Sequence, residues 1–233
     1  DYTYGGKNDF TIGIVLCCYN RSDYLKQTLE SLKKTNLTNC ILCIIDDNSS
    51  DTEVWNLIEN FELPNKIIKI KNDTNLGIRY SLLKGFNLLY DKCDYLTNID
   101  NDVILNKDWI QKLKYIDDTY HKYLNNNGAI ISGFNCGTGR HKITATYPYF
   151  YKKRTIGGIN IWFKKNVYNN LIKNILTTGH KNNYWDWELC ASAAKNNYDI
   201  LVSKPSVIQH IGVNGMFSKE TNYDKAKDFI PDK

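Results

Sequence analysis

The sequence predicts an α/β protein built on a mostly parallel sheet flanked by helices. Three observations carry that reading. Short β-branched apolar runs alternate with amphipathic stretches four times between residues 10 and 125. Three of the four runs close on clusters of Asp and Asn. Polar groups belong there because such sheets bind their ligands beyond the carboxyl ends of the strands. The connections are long enough for helical crossovers, which run right-handed in sheets of this kind.

Each element has its own warrant. "FTIGIVLCCY" (10–19) is too short and too β-branched for a helix and reads as a buried strand. In "NRSDYLKQTLESLKK", Leu25, Leu29 and Leu32 recur at helical spacing, with Ser22 as N-cap. "CILCIIDD" (40–47) is a second strand closed by acids, and "SSDTEVWNLIENF" (49–61) a helix with Ser or Asp capping and Glu53 in its first turn. "KIIKIKN" (66–72) is a third strand and "GIRYSLLKGFNLLY" (77–90) a helix. "CDYLTNID" (93–100) is a fourth strand, and residues 106–124 a further helix.

After residue 125 the pattern loosens. Residues 128–134 read as a strand, 135–154 as a loop followed by a hairpin, and 155–165 as a strand with a Gly-Gly break. Residues 185–197 read as a short helix and 198–212 as a last pair of short strands. The polar residues 213–233 read as a mobile tail. The organisation expected is one domain with a nucleotide-binding half (10–125), an irregular acceptor-side and catalytic half (126–212) and that tail.

Composition narrows the classes. The chain has 233 residues, 42% hydrophobic and 24% charged, enough to bury a core without disulfide staples. The net charge of +5 comes mostly from Lys, with no Arg-rich stripe, which suits an anionic substrate better than nucleic acid. Seven Cys at irregular spacing argue against a disulfide framework and point to a reducing, cytoplasmic setting. Cys40 and Cys43 form a CxxC inside an apolar strand with no second pair, so they read as small buried hydrophobes, not zinc ligands. No apolar run approaches the ~20 residues that span a bilayer. The chain begins with Asp1, as a piece cut from a longer or membrane-associated protein would.

The chemistry is concentrated in "NIDNDVIL". Asp100 and Asp102 stand at i and i+2, which on an extended segment face the same side. Two such carboxylates repel unless a proton or cation lies between them, and magnesium or manganese takes one or two carboxylates plus substrate phosphates. Asp47, at the end of the second strand, suits the ring N–H of a uracil. Tyr19 and Asn20 end the first strand, where ligands bind in such sheets, and are candidate nucleotide-sugar contacts. Arg79 follows Gly77 at a helix start, a place that suits phosphate, and it is one of only four Arg in the chain. Of Trp185 and Trp187, one suits a sugar ring and the other the core, and Trp185 is taken as the donor-site residue.

Taken together, "VLCCYNRSDYLKQTLESL", "IIDDNSSD", "NLGIRYSLLKGF", "NIDNDVIL", "TIGGINIWFKK", "WDWEL" and "PSVIQHIG" resemble a GT-A glycosyltransferase of the family 2 type, in order and across residues 10–212. The resemblance implies a Rossmann-like fold, a DxD metal site holding manganese or magnesium, and a UDP-sugar donor. It implies that Asp47 contacts uracil, that Arg79 lies near the nucleotide, and that Asp102, with Asp100, binds metal. It also implies that His210 completes the metal shell, that Gly157 and Gly158 let backbone approach the donor sugar, and that Asp186 is the catalytic base. Glu188 stands at i+2 from Asp186, so only one of the two faces the acceptor. The reaction expected is transfer to a hydroxyl of a glycan, protein or lipid, with inversion. Two rivals stay open, a nucleotidyltransferase and a non-catalytic carbohydrate-binding relative of the same fold.

Overall fold

The structure, a computed structural model, describes residues 10–137, 139–178, 184–213 and 224–232. The first half follows the predicted alternation: β1 (Ile12–Cys18), α1 (Ser22–Lys33), β2 (Cys40–Asp46), α2 (Thr52–Glu59), β3 (Lys66–Lys71), α3 (Ile78–Tyr90) and β4 (Tyr95–Asp100). A three-residue strand, β5 (Val103–Leu105), absent from the sequence reading, then precedes α4 (Trp109–Thr119). The second half adds β6 (Ala129–Ser132), β7 (Ile143–Thr146), β8 (Phe150–Lys153) and β9 (Asn160–Lys164). A helical stretch follows: α5 (Lys165–Val167), a π-helical turn at Tyr168–Ile172, and α6 (Lys173–Thr178). The described chain continues with α7 (Trp185–Lys195), β10 (Asp199–Ser203) and β11 (Ile208–His210).

One nine-stranded sheet runs through both halves in the order β3-β2-β1-β4-β9-β6-β10-β8-β7. The first four strands are mutually parallel. β9 runs antiparallel to β4 and β6, β10 pairs parallel with β6, and β7 and β8 form the expected hairpin. The Gly-Gly pair precedes β9 instead of breaking it. β11 leaves the sheet to pair antiparallel with β5, placing His210 opposite Val103 and so beside Asp102.

The core has two layers because β1 is apolar on both faces. Ile12, Ile14, Leu16 and Cys18 pack with α1, α2 and α4, while Val15 and Cys17 pack with α3, α6 and α7. This is the fully buried pattern of a central parallel strand. Leu25, Leu29 and Leu32 seat α1, each stabilising by roughly 1.5–3 kcal/mol. All seven cysteines are buried and unbridged. Among the described residues, no helix is long and apolar enough to cross a membrane.

Local details correct several expectations. Ser22 is not the cap of α1; Arg21 holds that position in a left-handed conformation, φ 64° and ψ 49°. The α1 terminus is served from across the edge, where Asp51 accepts from the Ser22 amide (3.1 Å) while capping its own helix at Glu53 (3.1 Å). The helical stretch 165–178 escapes sequence reading because its Asn and β-branched residues are weak helix formers and the π turn shifts the apolar register. Residues 224–232 are tied down, not loose. Ala226 exchanges two hydrogen bonds with the Gln209 amide (3.0 and 2.9 Å), and Asp228 accepts from Ser206 (2.6 Å). Their polar character serves bonds to the body. The rest of the expected tail, 214–223 and 233, lies outside the described residues.

The contact of α3 with the sheet generates a prediction. A Cβ on Gly85 would lie 2.6 Å from Val15 Cγ1 and 3.2 Å from Ile45 Cδ1. Helix propensity alone favours Ala over Gly by about 1 kcal/mol. Overpacking typically costs ~1–3 kcal/mol and should win here. Gly85→Ala is expected to lower the urea midpoint, and a raised midpoint would show that α3 has room to shift.

Candidate functional site at the sheet's carboxyl edge

The ends of β1, β2 and β4 meet at one edge, as parallel pairing requires. Asn20, in the left-handed region at φ 55°, is the clasp between them. Its Oδ1 accepts from the Ser50 amide (2.9 Å) and the Asp51 amide (3.1 Å), and its carbonyl accepts from Asn101 Nδ2 (3.2 Å). Asn20 thus fixes the loops through its Oδ1 and its carbonyl. Tyr19 beside it is exposed.

The two acids closing β2 are buried and compensated locally. Asp46 Oδ1 accepts from the Ser49 hydroxyl (2.6 Å) and amide (3.0 Å). Asp47 accepts from Asn72 Nδ2 (2.9 Å), the Leu76 amide (2.9 Å) and the Gly77 amide (2.7 Å). A carboxylate offers about four acceptor sites, so Asp47 has about one left for a ligand. Its first job is to fold the loop into α3.

Asp100 and Asp102 stand at the tip of β4. Burial pushes the Asp100 carboxyl well above the usual range, and the charges of Asp102 and Asp186 push it further. Burial also works to raise Asp102, but hydrogen bonding and charge from His210 and then Arg21 outweigh it and hold the carboxyl low. His210 Nε2 lies 3.3 Å and Arg21 Nη1 2.7 Å from Asp102 Oδ2, while Asp102 Oδ1 is buried with no hydrogen-bond partner among the described residues. His210 Nδ1 lies 3.0 Å from the Asp224 carbonyl, which can only accept, so Nδ1 carries the proton. Gly212 passes so close that a Cβ there would lie 2.0 Å from Asp102 Oδ2. Among the described residues, no three His, Cys, Asp or Glu side chains converge at metal-binding spacing. Asp102 and His210 are a pair, and Asp100 acts on them through its charge.

Asp186, at the start of α7, faces this cluster from the second half. Its Oδ2 accepts from the Gly158 amide (3.2 Å) and its Oδ1 from the Trp187 amide (3.0 Å). Burial raises its carboxyl, with those amides and Arg79 pulling the other way. Gly158 is held to β4 by Asn98 Nδ2 (2.8 Å) and rests on Trp185, whose Cζ2 would lie 2.9 Å from a Cβ there. Trp185 is therefore core packing under the Gly-Gly turn, not a sugar platform, while Trp187 is 42% exposed and tilted over His141. Gly157 borders the same turn, with open space around its Cα except for His141 Nε2 at 4.0 Å from a Cβ there.

Arg79 takes a different place from the one expected. It is 0% exposed, donates to the Ile175 carbonyl (2.8 Å) and pairs with Glu188 (2.7 Å), bracing α3 against α6 and α7. Enclosed in this way, it does not present itself to a phosphate. The signal was in the spacing: Arg79, Leu82, Phe86 and Leu89 share one buried helical face. The same pairing assigns Glu188 to Arg79 and leaves Asp186 as the acid at the cluster. Arg21, Gly212 and His141 are site residues that sequence reasoning did not select. Arg21's scarcity and its place just past a strand end were the available clues.

The profile described as glycosyl transferase family 2 matches residues 13–174. An uncharacterized glycosyltransferase of Haemophilus influenzae is 29% identical over 111 residues, 47% of this chain and 34% of the relative. Glycosyltransferase GlyA of Streptococcus pneumoniae is 26% identical over 149 residues, 62% of this chain and 20% of the relative. The chain thus spans about a third and a fifth of those relatives' lengths. Among solved structures, S. aureus TarS 1-349 in complex with UDP superposes with a TM-score of 0.59 at 15% identity, covering 82% of this chain and 60% of that one. GalNAc-T7 with UDP, GalNAc and Mn2+ gives 0.64 at 14% identity, covering 88% and 44%. The fold is the GT-A glycosyltransferase fold.

The bracing role of Arg79 is testable. A lysine reaches one partner and cannot fork, so Arg79→Lys leaves the buried Ile175 carbonyl or Glu188 without its donor. Chemical denaturation should show a loss of about 1–3 kcal/mol. An unchanged midpoint would remove the structural assignment.

Proposed function

The chain belongs to glycosyl transferase family 2, and on that premise we propose that it moves a sugar from a UDP-sugar to an acceptor hydroxyl with a divalent cation, manganese or magnesium, at Asp102 and His210. One observation carries the cation. With Nδ1 turned to the Asp224 carbonyl, Nε2 is the ring nitrogen that faces Asp102 Oδ2, and those two atoms, 3.3 Å apart, need a proton or a cation between them. Neighbouring ligands of an octahedral ion, each at ~2.1 Å, stand about 3 Å apart, so the pair fits. The backing of the His210 ring by a carbonyl is the usual support of a ligating imidazole. The orphaned Asp102 Oδ1 and the raised Asp100 carboxyl are in keeping with a cation there. Solved proteins of this fold that hold UDP, or UDP with manganese, support the same reading.

When bound, the cation supplies positive charge against the negative charge that grows on the departing diphosphate. Asp47, through its remaining acceptor site, takes the uracil N–H. Gly157 and Gly158 bring backbone against the donor sugar. Asp186 takes the acceptor proton as that oxygen attacks the anomeric carbon, and the electrons of the broken C–O bond leave with UDP. Attack from the side opposite the diphosphate inverts the anomeric centre. The Gly158 and Trp187 amides aim the Asp186 carboxylate, and its burial raises its basicity. The acceptor is a glycan, protein or lipid hydroxyl approaching past the exposed Trp187.

UDP should raise the melting temperature of the full chain only when manganese is present, and Asp102→Asn should remove that rise. Asp186→Asn should keep the rise while turnover falls about 10²–10⁴-fold. Because a base works deprotonated, the acid limb of kcat/KM should lie above the ordinary Asp value of 3.8 and vanish in Asp186→Asn. Full activity in that variant would remove the base assignment. Free UDP, not pyrophosphate, is the expected product, and pyrophosphate would overturn the reading in favour of nucleotidyl transfer.

A further inference from the structure

We propose that Arg21 is the resident counter-ion of Asp102, a guanidinium held on the oxygen that the divalent cation needs and displaced when the cation binds. The inference rests on the assignment of Asp102 and His210 as cation ligands, and it concerns a residue outside that pair.

Four features of Arg21 point to a partner held for exchange. Its Nη1 lies 2.7 Å from Asp102 Oδ2, the same oxygen that faces His210 Nε2. That oxygen is thus engaged by a positive group already in place. Second, the bonding is incomplete. Arg21 Nε and Nη2 are buried with no hydrogen-bond partner among the described residues. Third, the backbone is held in a costly conformation. Asn20 and Arg21 are consecutive left-handed residues, φ 55° and 64°, and Arg lacks the short polar side chain that lets Asn tolerate this region. Strain of this kind collects at functional sites. The guanidinium lies on the Tyr24 ring, 4.4 Å from its centroid. Fourth, the meeting needs Gly212. A Cβ there would lie 2.6 Å from Arg21 Nη2 as well as 2.0 Å from Asp102 Oδ2.

The contrast with Arg79 is instructive. Arg79 is 0% exposed and locked to two partners in the core. The Arg21 side chain keeps 25% exposure and one ion pair, so it can swing away without opening the core. The exchange is simple in charge. The guanidinium releases one carboxylate oxygen, and the divalent cation takes that oxygen together with His210 Nε2. Until then Arg21 keeps a buried carboxylate from standing alone. The consequence is an affinity penalty, since the affinity of a cation that must displace Arg21 is scaled down by the fraction of molecules in which Asp102 is free of it.

Manganese alone, without nucleotide, titrated calorimetrically into the full chain tests this. Arg21→Met is expected to bind manganese about tenfold more tightly than wild type, as follows for a competitor that occupies most molecules. Arg21→Lys keeps the charge and should bind close to wild type. A structural arginine predicts the reverse, since losing it would misplace Asp102 and weaken binding. Equal or weaker binding by Arg21→Met therefore overturns the proposal and leaves the metal assignment standing. No binding by either protein overturns both. The second measurement uses wild type alone and so does not depend on a variant folding. The guanidinium resonance of Arg21, one of four arginines, should shift on saturation with diamagnetic magnesium, and a resonance that stays in place overturns the exchange.

Discussion

The carboxyl edge of the sheet gathers negative charge in a place largely closed to water, and the local architecture is a set of ways to offset that cost. A buried carboxylate needs hydrogen bonds, a cation or a proton. The acids here divide among these means. Asp46 takes a serine hydroxyl and amide, Asp47 takes two loop amides and an asparagine, and Asp186 takes the amide of Gly158. Asp102 has an imidazole and a guanidinium. Asp100 is pushed toward its protonated form by burial and by its neighbours. The acids that fold loops each accept at least one backbone amide, which cannot leave. The acid at the centre is held, at Oδ2 only, by side chains, which can.

That division explains what the sequence disclosed. Strands β1 to β4 were legible because a strand buried on both faces is an unbroken apolar run, and parallel pairing then forces the tips together. Asp47, Asp102, Asp186 and His210 were therefore findable from strand ends and motif order, and they do gather at one edge. What local pattern could not give was the partner of each residue. Arg79 and Arg21 are both scarce arginines next to helix starts. The first lies on the apolar face of α3 and the second just past the end of β1, and only the assembled chain shows that one faces the core and the other faces Asp102. Likewise β5 is three residues long and acquires its identity only by pairing with β11, which arrives about a hundred residues later. The helical stretch 165–178 was hidden by its π turn, which breaks the very periodicity used to find helices. Trp185, the expected sugar platform, is assigned to the core by its contact with Gly158.

The same logic ties the second half to the first. β9 pairs with β4, and two asparagines cross-link the junction: Asn98 bonds the carbonyl of Gly158, and Asn160 bonds the carbonyl of Asn98 (2.7 Å) and the Gly133 amide (2.7 Å). Asp186 is anchored to that turn through the amide of Gly158, the residue whose carbonyl Asn98 holds. The strand that carries Asp100 at its tip therefore also positions the carboxylate that faces it from α7. Buried amides satisfied on several sides specify one arrangement because each lost bond leaves a desolvated group behind. A shift of Gly158 would cost bonds on both sides at once, so the separation between Asp186 and the Asp102–His210 pair is set by the sheet itself. The element proposed to adjust is the Arg21 side chain, whose backbone caps α1 just past β1 and whose guanidinium holds its carboxylate with a single ion pair.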